Sequence, residues 1–229
     1  MNIKILNLIE GAKKATGLTV IIDVFRAFSL EAYLFNAGAS KIIPVGDSEI
    51  AYKLKEEKPD IILAGERGGK KLPGFDMGNS PFELKDIDVF GKTICHTTSA
   101  GTQGIANATG AEEIIGGSLV NARAISEYIK RSGAKEVSLV CMGLAGKEPT
   151  DEDILCAEYI KSLLLGEERD ITKEIENLKL TSGAKFFDKE KRDVFPEEDF
   201  YMCTSVNKFN FVVRLIKDKE FDYMEKYEV

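Results

Sequence analysis

Short apolar runs alternate with helical patterns from residue 3 to residue 165, and that alternation confines the chain to a narrow set of folds. Ile3–Leu8, Leu18–Val24, Lys41–Val45, Ile61–Ala64, Thr93–His96, Glu113–Ile115 and Val137–Met142 are predicted strands. Between them, Ala27–Asn36, Ser48–Glu57, Thr102–Ala108, Asn121–Ser132 and Asp153–Leu165 are predicted helices. Strands separated by helices are βαβ units, which build a parallel sheet covered on both faces. The expected fold class is therefore α/β, a three-layer α/β/α arrangement with a largely parallel or mixed sheet. With 229 residues, 44% of them apolar, the chain can bury one sizeable core. Beyond Leu165 the pattern thins: Ile171–Leu180 reads as a helix and Phe209–Ile216 as a last strand, antiparallel at an edge. Residues 1–229 are read as one domain with a peripheral elaboration at about 166–229.

Charge and residue usage exclude several kinds of function. Lys and Arg total 31 against 38 Asp and Glu, a net charge of −7, with no basic block, so no nucleic-acid partner is expected. No apolar run approaches the roughly 20 residues of a membrane helix. Met1–Leu6 begins directly with strand-like alternation instead of a signal-peptide pattern, so no membrane association and a cytoplasmic location are expected. Cys95, Cys141, Cys156 and Cys203 are widely spaced and His96 is the only histidine, which excludes the common zinc patterns. Histidine-dependent mechanisms would rest on that one residue, and the chemistry narrows towards metal and carboxylate. The oligomeric state is left open, a homodimer included.

The polar residues at the strand ends carry the functional signal. Val20-Ile21-Ile22 runs into Asp23, with Arg26 three residues later. An ionised carboxylate beside desolvating Ile and Val needs a cation or several donors, and Arg26 or a metal could supply the charge. Ligands of open parallel sheets bind outside the carboxyl ends of the strands, so the segments after other strands are read with Asp23 as one site. Gly65-Glu66-Arg67-Gly68-Gly69 presents opposite charges between glycines that let the backbone approach a ligand. The alternative is a solvated turn carrying a surface charge pair. Thr97–Thr102 leads into a helix and offers hydroxyls and backbone N–H groups to an anion, or is an ordinary capped turn. Asn79-Ser80 lies in the long excursion Gly68–Asp86, which suits a functional loop or lid. Thr150-Asp151-Glu152-Asp153 caps a helix, yet three carboxylates exceed what a cap needs. Magnesium takes only one or two protein carboxylates, so Asp23 with one of Glu66, Glu152 or Asp153 would suffice.

Taken together, Ile22-Asp23-Val24-Phe25-Arg26-Ala27, Gly65–Gly69, Gly78-Asn79-Ser80-Pro81, Thr97-Thr98 with Gly101-Thr102, and Glu152-Asp153 resemble, in order, the 2-phosphosulfolactate phosphatases. These are magnesium-dependent enzymes associated with coenzyme M biosynthesis. The resemblance implies hydrolysis of a small anionic phosphate ester, 2-phosphosulfolactate, to sulfolactate and inorganic phosphate. It implies Asp23, Arg26, Glu66 and Arg67 as catalytic residues, and Asn79, Ser80, Thr97, Thr98, Gly101 and Thr102 as substrate-binding residues. Mg²⁺ would be held among Asp23, Glu66, Glu152 and Asp153, with either water or Asp23 attacking phosphorus. The alternatives are a phosphatase for another small phosphorylated acid and a non-catalytic binder of anionic metabolites. A haloacid-dehalogenase-like phosphatase expects a second Asp two residues after the first, where this chain has Phe25.

Overall fold

An unbroken apolar and β-branched segment, Gly17–Ile22, is buried at every residue and pairs with a parallel strand on each side, as a strand covered on both faces must. It is one of ten strands in the computed structural model, which describes all 229 residues. The strands are β1 (Asn2–Asn7), β2 (Gly17–Ile22), β3 (Lys41–Pro44), β4 (Ile62–Arg67), β5 (Lys70–Lys71), β6 (Thr93–Thr97), β7 (Ala111–Gly117), β8 (Glu136–Cys141), β9 (Phe211–Ile216) and β10 (Tyr223–Glu228). The helices are α1 (Leu8–Ala12), α2 (Ala27–Asn36), α3 (Ser48–Glu57), α4 (Gly101–Asn107), α5 (Ala122–Ser132), α6 (Asp151–Leu165), α7 (Thr172–Leu178) and α8 (Glu197–Cys203). None of them is long and apolar enough to cross a membrane.

The sheet runs in the order β1-β8-β2-β7-β9-β10-β3-β6-β4-β5 and is mixed. β1, β8, β2 and β7 form one parallel block, and β3, β6 and β4 form another. The antiparallel hairpin β9–β10 lies between the blocks, joined to β7 by Ile115–Arg214 and Gly116–Val213 and to β3 by Met224–Ile42. Three antiparallel steps formally reverse the second block relative to the first. Six strand-to-strand steps separate β2 from β4, however, and a twist of roughly 20–25° per step turns the second block by about 120–150°. That rotation largely undoes the reversal, so the carboxyl ends of β2 and β4 reach one region.

Three apolar clusters make the layers. Ile21 and Val140 of the first block, Ile42, Ile62 and Ile94 of the second, and Val213 and Met224 of the hairpin share one core with Phe28, Leu34 and Ile105 of α2 and α4. The other face of the first block, through Val20, Ile22 and Leu139, packs on Ile125, Ile160 and Phe200 of α5, α6 and α8. The other face of the second block, through Ile43 and Leu63, packs on Ala51 and Leu54 of α3.

The expectation for the last third of the chain needs correction. β9 is antiparallel but central, and the segment from about 166 onward is not peripheral, because its hairpin joins the two blocks. Phe211 and Val213 enter one core while Val212 enters another, and a strand buried on both faces belongs inside a sheet. β10 escapes a sequence reading because only Met224 of Tyr-Met-Glu-Lys-Tyr-Glu is buried.

Candidate active site

A cleft of about 400 Å³ opens where the ends of β2 and β4 meet the start of α6. Asp23, directly after β2, is only 6% exposed. Its Oδ2 accepts from the Gly101 N–H at 2.8 Å and its Oδ1 from the Ala27 N–H at 3.2 Å, so the carboxylate ties the starts of α4 and α2 together. Burial raises its pKa to about 6; repulsion from Glu66 and Glu152 adds to the rise, and the two backbone donors oppose it.

Glu66 stands on the opposite wall, its Oε2 accepting from the Gly69 N–H at 2.6 Å and its Oε1 from the Ser99 N–H at 2.7 Å. Gly65 makes this placement feasible, since a Cβ there would lie 2.2 Å from the Thr97 carbonyl oxygen. Glu152, in the first turn of α6, completes the acidic wall, and its Oε2 is buried without a hydrogen-bond partner. No three or more His, Cys, Asp or Glu side chains stand close enough together to hold an ion by themselves. The arrangement suits a cation that takes one or two carboxylates and completes its shell with water and substrate oxygens.

Arg26 lines the cleft but does not pair with Asp23. Its Nη1 donates to Asp199 Oδ2 at 2.9 Å and to the Val194 carbonyl at 2.8 Å, and its Nη2 to the Gly69 carbonyl at 3.1 Å. The guanidinium also lies 4.9 Å from the centre of the Phe195 ring.

Several residues expected to touch substrate or metal instead hold the walls in place. The Arg67 side chain does not meet the Glu66 carboxylate; its guanidinium donates to the Glu66 backbone carbonyl at 2.7 Å, to Thr97 Oγ1 at 2.9 Å and to the Gly46 carbonyl at 3.3 Å. Thr98 and Thr102 bond one another, backbone N–H to side-chain oxygen, at 2.9 and 3.2 Å. Ser99 and Ala100 line the cleft in that turn, whereas Thr102 borders a separate cavity of about 330 Å³ between α4 and β7. Gly101 gives its N–H to Asp23, leaving none for an anion. Ser80 donates to Asp199 Oδ1 at 2.7 Å, and only Asn79 of that pair faces the cleft. Asp153 accepts from the Val24 and Gly143 N–H groups, each at 2.8 Å, and so clasps the ends of β2 and β8. Burial, with Glu152 and Asp23 nearby, raises its carboxyl well above the usual range.

Residues 3–218 match the 2-phosphosulpholactate phosphatase family. The chain belongs to that family. Relatives named "probable 2-phosphosulfolactate phosphatase" include one from Caldanaerobacter subterraneus subsp. tengcongensis, 37% identical over 86% of both chains. Another, from Bacillus subtilis, is 32% identical over 91% of both. A third, from Caldicellulosiruptor saccharolyticus, is 41% identical over 64% of this chain and 62% of its own length. The family is one of phosphoric monoester hydrolases.

In this phosphatase-family chain the region after Leu165 supplies part of the site that sequence reading misses. Lys185 and Phe195 line the cleft and Asp199 anchors Arg26. Lys185 is half-buried, lies 5.4 to 5.7 Å from the rings of Phe25, Phe186 and Phe195, and forms no ion pair. Asp199 sits in Glu197-Glu198-Asp199, indistinguishable locally from any acidic helix start. Its one distinguishing signal is the Phe200 that follows, fully buried in the core.

Proposed function

We propose that this protein hydrolyses 2-phosphosulfolactate to sulfolactate and inorganic phosphate, using Mg²⁺ held by Asp23 and Glu152 with Glu66 beside them. The observation carrying this reading is the charged lining of the cleft. Asp23, Glu152 and, from the opposite wall, Glu66 share it with Arg26 and Lys185, and a buried Glu152 oxygen lacks any donor. A buried Asp23 with Glu66 and Glu152 in the same cleft is answered by a divalent cation, and an anion sensor would have no use for three carboxylates there. When bound, the ion neutralises phosphoryl oxygens and acidifies coordinated water. Arg26, braced by Asp199, Val194 and Gly69, offers a fixed charge to the transferring group. Lys185, free of any carboxylate, meets the second anionic group, and Phe195 excludes water beside it. The four cysteines are free and buried, which suits a cytoplasmic place, and the product fits a step towards coenzyme M biosynthesis.

Phosphate release from 2-phosphosulfolactate and from p-nitrophenyl phosphate, each with magnesium and with chelator, tests the reading. Magnesium-dependent release favouring the sulfonated ester is expected, and no release from either ester would overturn it. Lys185→Ala should raise KM for 2-phosphosulfolactate roughly 10-fold, the worth of one exposed charge-assisted contact, while leaving KM for p-nitrophenyl phosphate unchanged.

A further inference from the structure

His96, the only histidine, has no part in the reaction as described, yet it is fully buried and so is Glu31 of α2 beside it. His96 Nδ1 lies 2.8 Å from Glu31 Oε1, and His96 Nε2 lies 3.1 Å from Oδ1 of Asn79. Asn79 lines the cleft, and Oδ1 makes its only side-chain hydrogen bond, so its amide nitrogen has no protein partner. Glu31's other oxygen is buried without a donor, so His96 is the carboxyl's only partner. A three-residue chain therefore runs from a core helix through β6 to the cleft wall.

The donors along this chain can be assigned from elementary chemistry. Glu31 is buried with His96 as its only partner, and a pair of zero net charge there leaves His96 Nε2 carrying a hydrogen, which the Asn79 oxygen 3.1 Å away accepts. Nδ1 and Glu31 then share one proton, either as imidazolium with carboxylate or as imidazole with carboxylic acid. Both forms have zero net charge, which burial favours, and both keep the Nε2–H. The two ends of an asparagine amide have nearly the same shape, so packing alone cannot orient it. A fixed Nε2–H can: it captures Oδ1 and leaves the Nδ2 hydrogens aimed at the cleft. The opposite orientation would present a carbonyl oxygen to an anion and repel it.

We propose that Glu31 and His96 are positioning residues that lock the Asn79 carboxamide with its N–H donors towards the cleft, making Asn79 an uncharged anion-binding group for the phosphate ester. The inference rests on the phosphate-ester reading of the cleft. It assigns Asn79 direct contact with substrate and gives His96 and Glu31 an effect only through Asn79.

Because His96 is the sole histidine, protein labelled with ¹⁵N-histidine carries one imidazole signal pair that needs no assignment. The wild type should show a protonated, hydrogen-bonded Nε2 whose resonance shifts when inorganic phosphate and magnesium are added, and Asn79→Ala should abolish that shift. In kinetics with 2-phosphosulfolactate, Asn79→Ala and His96→Asn should each lower kcat/KM roughly 10- to 100-fold, mainly through KM, the range for one hydrogen bond to a charged group. The double variant should be no worse than Asn79→Ala alone, since the two act as a unit. His96→Gln, whose amide N–H can reach Asn79 Oδ1, should stay within about 3-fold of wild type. An unprotonated Nε2 in the wild type, additive losses, or a His96→Asn variant that melts earlier but keeps its kcat/KM would overturn the proposal. Absence of turnover by the wild type would overturn the proposed reaction instead, and the phosphate titration would still decide the role of His96.

Discussion

Asp23 carries a charge problem that the protein's own atoms leave unsolved. Its carboxyl titrates at about 6, against 3.8 for a free aspartate, chiefly because it is buried, with Glu66 and Glu152 adding repulsion. Between pH 4 and pH 6 the folded state therefore keeps a proton that the unfolded chain has released. Stability falls as pH rises through that window, and the penalty is complete above pH 6. A shift of this size is worth on the order of 2–3 kcal/mol. Asp23→Asn escapes it while losing one backbone hydrogen bond, so at pH 8 without divalent cation it should be more stable than wild type by roughly 1–2 kcal/mol. Thermal unfolding at pH 4 and pH 8 checks this: the gap should close at the lower pH, shrink when magnesium is added at pH 8, and coincide with lost activity. A wild type as stable as the variant at pH 8 would contradict it. Asp23 and Glu66 are legible in sequence because an ionisable group at the end of a buried run has to be answered by something, and Glu152 only as one of three carboxylates where a helix cap needs fewer. Arg67 and Asp153 carry the same local signature and face elsewhere, since alternation along a strand separates two faces without saying which one meets the cleft. Lys185 and Asp199 lie in polar stretches that give no such frame.

Among the elements, α6 shows how a helix start serves both fold and site. Asp151, Glu152 and Asp153 occupy its first turn, where negative charge favours the helix dipole. Only Glu152 lines the cleft, while Asp153 spends both oxygens on the backbone of Val24 and Gly143. Asn at position 153 can accept only one of those two bonds and would turn an N–H against the other. Asp153→Asn also removes the buried charge, so the test is Asp153→Ala, which gives up both bonds and leaves the Val24 and Gly143 N–H groups unpaired: it should cost roughly 1–3 kcal/mol of stability in urea unfolding and loosen Asp23, which follows β2 and precedes Val24. Unchanged stability would remove Asp153 from its clasping role. α2 and α3 have the bounds that their sequence patterns predict, because their ends are set locally, for α3 by Asp47 accepting from the Glu49 N–H. β10 has no such local signal, and its single buried side chain finds its place only when β9 and β3 are already there.

Across the whole molecule, the cleft spans two half-sheets: Asp23 and Glu152 come from the first, and Glu66 and Ser99 from the second. The β9–β10 hairpin joins the halves and buries Phe211, Val212, Val213, Leu215 and Met224. Five such side chains are worth roughly 7–15 kcal/mol of burial, as much as the whole net stability of an ordinary domain. Deleting residues 208–229 should therefore give a chain without cooperative unfolding by circular dichroism; a truncated protein that still melted sharply would show that the halves close without the hairpin. The βαβ alternation makes both parallel blocks legible, but not their relative direction, which depends on where the hairpin inserts. That insertion also sets an order of events during synthesis. The open edges of β7 and β3 must wait for strands that lie about a hundred residues or more further along the chain, several seconds of elongation at roughly 5–20 residues per second. Throughout that interval the nascent chain displays two unpaired strand edges, the surfaces most prone to pair with a neighbour's, so its yield in a cell should depend on chaperone supply more steeply than its final stability would imply.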